Sequence, residues 1–88
     1  MARGDPAVAL ATVFGQFGRR AVAAQNLVIA RCELGTAPAV GRALDRLDDT
    51  RILGTLAGDD TCLVVARGPR EARAIARVLR SHLTNISA

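Results

Sequence analysis

The strand-like segments of this chain are apolar at both alternating positions. Leu27, Ile29, Leu53, Leu63 and Val65 alternate with Val28, Ala30, Ile52, Leu56 and Val64. Successive side chains of a strand point to opposite faces, so a sheet built from these segments has two faces to bury. The chain has 88 residues, enough for one domain. The remaining elements are helices sufficient for one face, and the other face is expected to pack against other subunits. With half of the residues apolar and only two aromatics, Phe14 and Phe17, the core must be made of Val, Leu, Ile and Ala. That composition excludes intrinsic disorder.

The order of elements follows from period and punctuation. Leu10, Val13, Phe14 and Phe17 form one helical stripe over Pro6 to Phe17. Asp5 as N-cap and Pro6 at the first position start it, and Gly18 stops it. Arg19 to Ala23 is a weak strand candidate, Gln25-Asn26 a turn, and Leu27 to Cys32 a branched, stronger strand. A second helix is expected over Gly35 to Leu47, capped by Thr36, with Asp48-Asp49 as its exit turn. Strands Ile52 to Ala57 and Cys62 to Arg67 flank a hairpin tip, Gly58 to Thr61. Gly68-Pro69 opens a last helix from Arg70 to about Leu83, and Thr84 to Ala88 is expected to fray. The fold class is α/β (α+β): a two-layer sandwich, with a mostly antiparallel four-stranded sheet and helices on one face. Its β-β-α-β-β-α core is preceded by an N-terminal helix.

The sharpest chemical feature is the tip. Asp59 and Asp60 are adjacent carboxylates that repel one another and call for a counter-charge. A guanidinium suits them, since its fork donates two parallel hydrogen bonds to a carboxylate. A hard cation such as Ca²⁺ needs about 6–8 oxygen ligands, and no loop here spaces its acids that way. A solvated turn is the plainer alternative. Asp45 on the second helix could hold the ammonium of a small ligand, although pairing with Arg42 or Arg46 is the commoner fate of such a residue. Arg70, Arg73, Arg77 and Arg80 line one side of the last helix. They read as a solvated face, because no base-reading motif or stacking aromatic accompanies them.

Enzyme signatures are missing from the sequence. His82 is the sole histidine, and neither a Ser/His/Asp arrangement nor a Cys/His metal spacing surrounds it. There is no CxxC, P-loop or GxGxxG. Cys32 and Cys62 fall on strands and read as small core residues kept as thiols. No signal core or membrane-length apolar run occurs, so the chain reads as cytoplasmic, with no membrane partner. The net charge of +4 is carried entirely on arginine, with no lysine, and it is a modest signal for nucleic acid.

Gly54-Thr55-Leu56-Ala57-Gly58-Asp59-Asp60-Thr61, running into Cys62-Leu63-Val64-Val65, resembles the signature of the C-terminal domain of bacterial arginine repressors. Asn26 to Arg31 is similar to that domain's second strand, Leu34-Gly35-Thr36-Ala37 to its helix entry, and Ala43-Leu44-Asp45 to the Leu-Asp on that helix. The resemblance covers roughly Phe14 to Leu83. It implies trimers that stack into hexamers, with L-arginine bound as co-repressor between the trimers. It implies that Asp59 and Asp60 hold the ligand's guanidinium, one of them partly from a neighbouring subunit, and that Asp45 holds its amino group. Thr55, Ala57 and Thr61 match positions around that pocket. No metal or further cofactor is implied, and no catalysis.

Two departures accompany the resemblance. Where many members carry a Gln or His that touches the backbone end of the ligand, this chain has Pro38, which has neither a side-chain donor nor an N–H. The ligand's α-carboxylate would then need other partners or water. The family's winged-helix DNA-binding domain is also missing from these 88 residues, so operator DNA would be a partner only through that absent domain. Residues 1–18 are therefore read as N-terminal helix and interdomain linker, and 19–88 as the arginine-binding oligomerisation domain. The alternative is a free-standing oligomeric scaffold of the same fold that does not bind arginine. A pterin dehydratase-like enzyme would need a histidine cluster that one His82 cannot make.

Overall fold

The computed structural model describes residues 4–83. Helix α1 runs Pro6–Phe17, β1 Gly18–Ala24, β2 Leu27–Cys32, α2 Ala37–Arg46, β3 Ile52–Ala57, β4 Thr61–Ala66 and α3 Pro69–Ser81. The four strands form one sheet in the order β1-β2-β4-β3, with every neighbouring pair antiparallel. This is the α+β sandwich expected from the pattern. The tail for which fraying was expected lies outside the described residues.

All three helices contribute to one core. Leu10 and Phe14 of α1, Val40 and Leu44 of α2, and Ile75 and Leu79 of α3 are buried with Val28, Ala30, Cys32, Cys62, Val64 and Ala66 of the central strands. Both cysteines are free and buried in this core. The thiol of Cys62 is pushed up to about 11, chiefly by burial and secondarily by the neighbouring Cys32 and Asp45. It therefore stays a small apolar group at neutral pH.

Local chemistry explains most of the element ends. The Asp5 carboxylate accepts the N–H of Ala7 at 2.9 Å, and Pro6 occupies the first turn. Gly18 does end α1, but in extended conformation, not the left-handed one of a usual glycine stop. Its need for glycine is steric. A Cβ there would lie 2.5 Å from the Phe14 carbonyl oxygen and 2.7 Å from the Phe14 ring. Thr36 does not cap α2 with its side chain. Its hydroxyl instead donates to the Glu33 carbonyl at 2.7 Å, because its backbone is already in the right-handed helical region. Past α2, Asp48 takes the left-handed position at φ 54, a conformation that aspartate tolerates better than most residues. Asp49 then clamps Arg51, accepting its backbone N–H at 2.9 Å and its guanidinium at 2.7–3.2 Å.

The sheet register sorts the apolar residues by face, and here one expectation is corrected. Leu56 was grouped with Val28, Ala30, Ile52 and Val64, and Leu53 with the opposite set. A bulge between Ile52 and Gly54 shifts the alternation by one residue. Beyond it Gly54 and Leu56 pair with Val65 and Leu63, whereas Thr55 and Ala57 pair with Val64 and Cys62 on the helix-covered side. The far face consequently carries two four-residue rows, Val22-Ile29-Leu63-Leu56 and Ala24-Leu27-Val65-Gly54, bordered by Arg20, Arg31 and Thr61. Leu56 is 70% exposed and Val22 43%.

Gly18→Ala should destabilise the domain by about 1–3 kcal/mol, since the added methyl forces Phe14 or the chain reversal to move. A lowered urea midpoint with an unchanged slope is the expected result.

Candidate functional site

The β3–β4 hairpin tip is docked onto the junction between β2 and α2 by backbone bonds. The Asp60 carbonyl accepts the N–H of Cys32 at 2.8 Å. The Asp59 carbonyl accepts those of Gly35 at 3.1 Å and Ala37 at 3.2 Å. Within the hairpin, Gly58 N–H donates to the Thr61 carbonyl at 2.8 Å. The two carboxylates therefore project from a backbone that cannot swing freely. Asp60 has the Arg31 guanidinium 3.6 Å from one oxygen, and its other oxygen accepts the Thr61 hydroxyl at 3.0 Å. Asp59 is exposed and forms no ion pair within 4.0 Å among the described residues.

A second constellation lies between α2 and β3. Pro38, Gly41, Arg42, Asp45 and Arg46 on the helix, with Thr55, Leu56 and Ala57 on the strand, line an open hollow of about 370 Å³. Spacings of three, four and seven residues from Pro38 put Gly41, Arg42 and Asp45 on one side of the helix. Gly41 lets that side approach the sheet. A Cβ there would already be 3.4 Å from Cys62 Sγ and 3.6 Å from both Ala57 Cβ and Thr55 Oγ1. The Thr55 hydroxyl donates to Asp45 Oδ1 at 2.8 Å. This overturns the expectation that Asp45 pairs with Arg42 or Arg46. Among the described residues, neither arginine has a carboxylate within 4.0 Å. The hydroxyl engages one oxygen of Asp45, Oδ1.

The sequence-derived residues thus fall into two groups within one chain. Pro38, Asp45, Thr55 and Ala57 share the α2–β3 hollow, while Asp60 borders a separate hollow of about 310 Å³ with Arg19, Arg20 and Arg31. Thr61 is bonded to Asp60, and Asp59 sits at the tip, tied by its carbonyl to the residue before Pro38. Arg31, as the partner of Asp60, went unnoticed in the sequence. Arg42 and Arg46 were seen only as partners for Asp45, although their helical spacing from Pro38 already put them on its side. His82 is the C-cap of α3. Among the described residues no cluster of three or more His, Cys, Asp or Glu is arranged to hold a metal ion. The described part of the chain has no helix long and apolar enough to cross a membrane. On α3, Arg70, Arg73 and Arg77 are exposed, while Arg80 donates to the Ala21 carbonyl at 3.0 Å.

Residues 14–81 match the family model described as the arginine repressor C-terminal domain. The chain belongs to that family. Among its curated relatives, an arginine repressor of Geobacillus stearothermophilus is 45% identical over 58 residues, covering 66% of this chain and 39% of the relative. An arginine repressor of Thermotoga maritima is 40% identical over 79 residues, covering 90% of this chain and 52% of the relative. The chain thus spans about two fifths to half the length of these repressors. The matched stretch includes the hairpin tip, α2 and both hollows of this arginine repressor C-terminal domain.

The Asp49–Arg51 clamp fixes the turn that sets Asp45 opposite Thr55. The Arg51 side chain holds the Asp49 carboxyl below its ordinary value, and partial burial opposes this more weakly. A folded-state value below the unfolded one, about 3.9, gives stability that is present above that pH and lost as the pH falls through the folded value. Asp49→Asn should therefore lower the denaturation midpoint at pH 7, and the gap to the parent should narrow as the pH drops below about 4. A gap that is independent of pH would contradict the clamp.

Proposed function

We propose that this chain is the arginine-sensing and oligomerising domain of a transcriptional regulator of arginine metabolism, acting in the cytoplasm and catalysing nothing. In this reading L-arginine is the co-repressor ligand. Asp59 and Asp60 receive its guanidinium, Asp45 its ammonium, and Thr55, Ala57 and Thr61 border it. The bound ligand stabilises a hexamer made of two trimers. Operator DNA is contacted by a winged-helix domain outside these 88 residues.

The observation that carries the reading is the hairpin tip. Two adjacent carboxylates are held out on a loop whose backbone is fixed by three N–H donors from the β2–α2 junction. Such a pre-ordered pair suits the planar fork of a guanidinium. Within one chain Asp60 and Asp45 border different hollows. That separation supports a ligand bound between copies, one contributing the hollow and another the tip. The uncovered apolar rows on the far side of the sheet support self-association, because leaving them in water forfeits hydrophobic stabilisation of roughly 25 cal/mol per Å². The second reading, a scaffold that assembles without arginine, rests on Pro38, which withdraws a donor from the hollow.

Titration calorimetry decides between them. L-Arginine should give saturable heat with the parent chain. Asp60→Asn should weaken binding about tenfold to a hundredfold, the range for a charge-assisted hydrogen bond. In sedimentation, arginine should shift the parent toward the larger assembly. A parent with no arginine heat, or one that stays monomeric at every concentration with arginine present, would sink the reading.

A further inference from the structure

Helix α3 carries a row of arginines along one side. Arg70, Arg73, Arg77 and Arg80 fall within an arc of about 80°, since successive residues turn by about 100°. Arg70, Arg73 and Arg77 are exposed, and none has a carboxylate within 4.0 Å among the described residues. Arg80 ends the row on the β1 side, where it donates to the Ala21 carbonyl. Glu71 is the one acidic residue of α3, and it stands at least about 100° around the helix from the row. It folds back on the first turn, its Oε1 2.9 Å from where a Cβ at Gly68 would stand.

The row lies apart from the surfaces already described. Helix α3 packs on the covered side of the sheet, opposite the apolar row of Val22, Ile29, Leu63 and Leu56. None of the three exposed arginines borders the α2–β3 hollow or the hollow beside Asp60. Those are the surfaces that the reading above gives to other copies of the chain.

The make-up of the row favours a polyanion over a protein partner. Protein interfaces centre on buried apolar or aromatic anchors. The exposed large apolar residue of α3, Val78, lies on the other flank, in a cleft with Arg51 and Ile52. Arg70 and Arg77 stand about 10 Å apart along the helix axis, at about 1.5 Å per residue. Duplex DNA presents a charge every ~1.7 Å of its axis, so a row of that length meets phosphates in any register. The guanidinium fork matches phosphate as it does carboxylate. Contact with the backbone needs neither a stacking aromatic nor a base-reading side chain.

We propose that Arg70, Arg73 and Arg77 bind the phosphate backbone of duplex DNA without reading its sequence, as a contact additional to that of the DNA-reading domain. The choice of DNA as the polyanion rests on the regulator reading above. The row itself does not depend on arginine binding.

The winged-helix domain of that reading lies outside these 88 residues, so duplex binding by the chain belongs to its own surface. Fluorescence anisotropy with a labelled duplex of random sequence measures it between about 50 and 200 mM salt. The parent should bind, with log K falling linearly in log salt by about 0.9 for each phosphate contacted. Arg73→Gln/Arg77→Gln should weaken binding roughly tenfold at the lower salt and make the slope shallower by about 2 per bound copy. Arg19→Gln/Arg20→Gln removes the same charge from β1 and should stay close to the parent. Unchanged thermal midpoints should show that both variants are folded. A parent that ignores the duplex, yet gives arginine heat in calorimetry, overturns the proposal and leaves arginine sensing standing. Equal losses in the two double variants would assign binding to the general charge of the chain and overturn the row. Tighter binding of poly-L-glutamate than of the duplex would make the partner an acidic protein and overturn it as well.

Discussion

The pairing of β2 with β4 is the contact from which the rest of the molecule is organised. Each strand belongs to its own hairpin, with β1 and β3 respectively, and each hairpin is followed by a helix. Antiparallel pairing of the two inner strands, from Leu27 opposite Val65 to Arg31 opposite Thr61, joins the hairpins into one sheet. It also brings both following helices onto the same face. Val28, Ala30, Cys62 and Val64 lie under those helices with almost no exposure, so slipping the register by one residue would turn this set to the opposite face. The same pairing leaves the end of β2 beside the start of β4. That is why the backbone of the Asp59-Asp60 tip meets the β2–α2 junction and accepts three of its N–H groups.

A single irregularity then builds the α2–β3 hollow. Strict alternation from Ile52, whose partner Ala66 is buried, would turn Thr55 and Ala57 away from α2 and Leu56 toward it. The bulge at Leu53 reverses that order. It sets Thr55 where its hydroxyl reaches Asp45, and Leu56 on the open apolar face. Bulges add local bending and re-aim side chains, and this one exchanges a leucine for a threonine in front of an acidic helix residue. The Asp49–Arg51 clamp holds the turn that leads into the strand, and Gly41 lets the helix come close enough for the threonine–aspartate bond.

Electrostatics in this chain are local. The surplus of arginine describes the surface as a whole, yet the groups that define the two hollows are few. Asp60 is matched by Arg31 inside the chain, at a distance and exposure that leave the pair weak and exchangeable. Arg42 and Arg46 are unmatched, and Asp45 is half-committed. The minority charges and these two cations gather at the two hollows, whereas Arg70, Arg73 and Arg77 of α3 are exposed.

Much of this was legible in the residues. The helical stripe of Leu10, Val13, Phe14 and Phe17, the Asp5-Pro6 start and the Gly-Asp-Asp tip each carry their structure locally, through side-chain period, a cap bond and turn chemistry. The twin carboxylates at the tip call for a counter-charge for the same local reason, and the Arg31 guanidinium lies 3.6 Å from Asp60. Two-sided hydrophobicity of the strands also declares, without coordinates, that helices alone cannot cover the sheet. What no local pattern contains is which side of a strand faces which neighbour after a bulge, because the extra residue shows only in the pairing with β4. Nor does it contain which donors are already spent. The Thr36 hydroxyl looks like a helix cap and bonds the Glu33 carbonyl instead, and Asp45 looks paired with arginine and is bonded to Thr55 instead. Those outcomes depend on partners ten or more residues away, or on a backbone conformation set by the docked tip. The sequence by itself determined the elements, the core and the acidic tip. Only the tertiary structure decided the composition of the hollow, since it is made where a shifted strand and a closely packed helix meet.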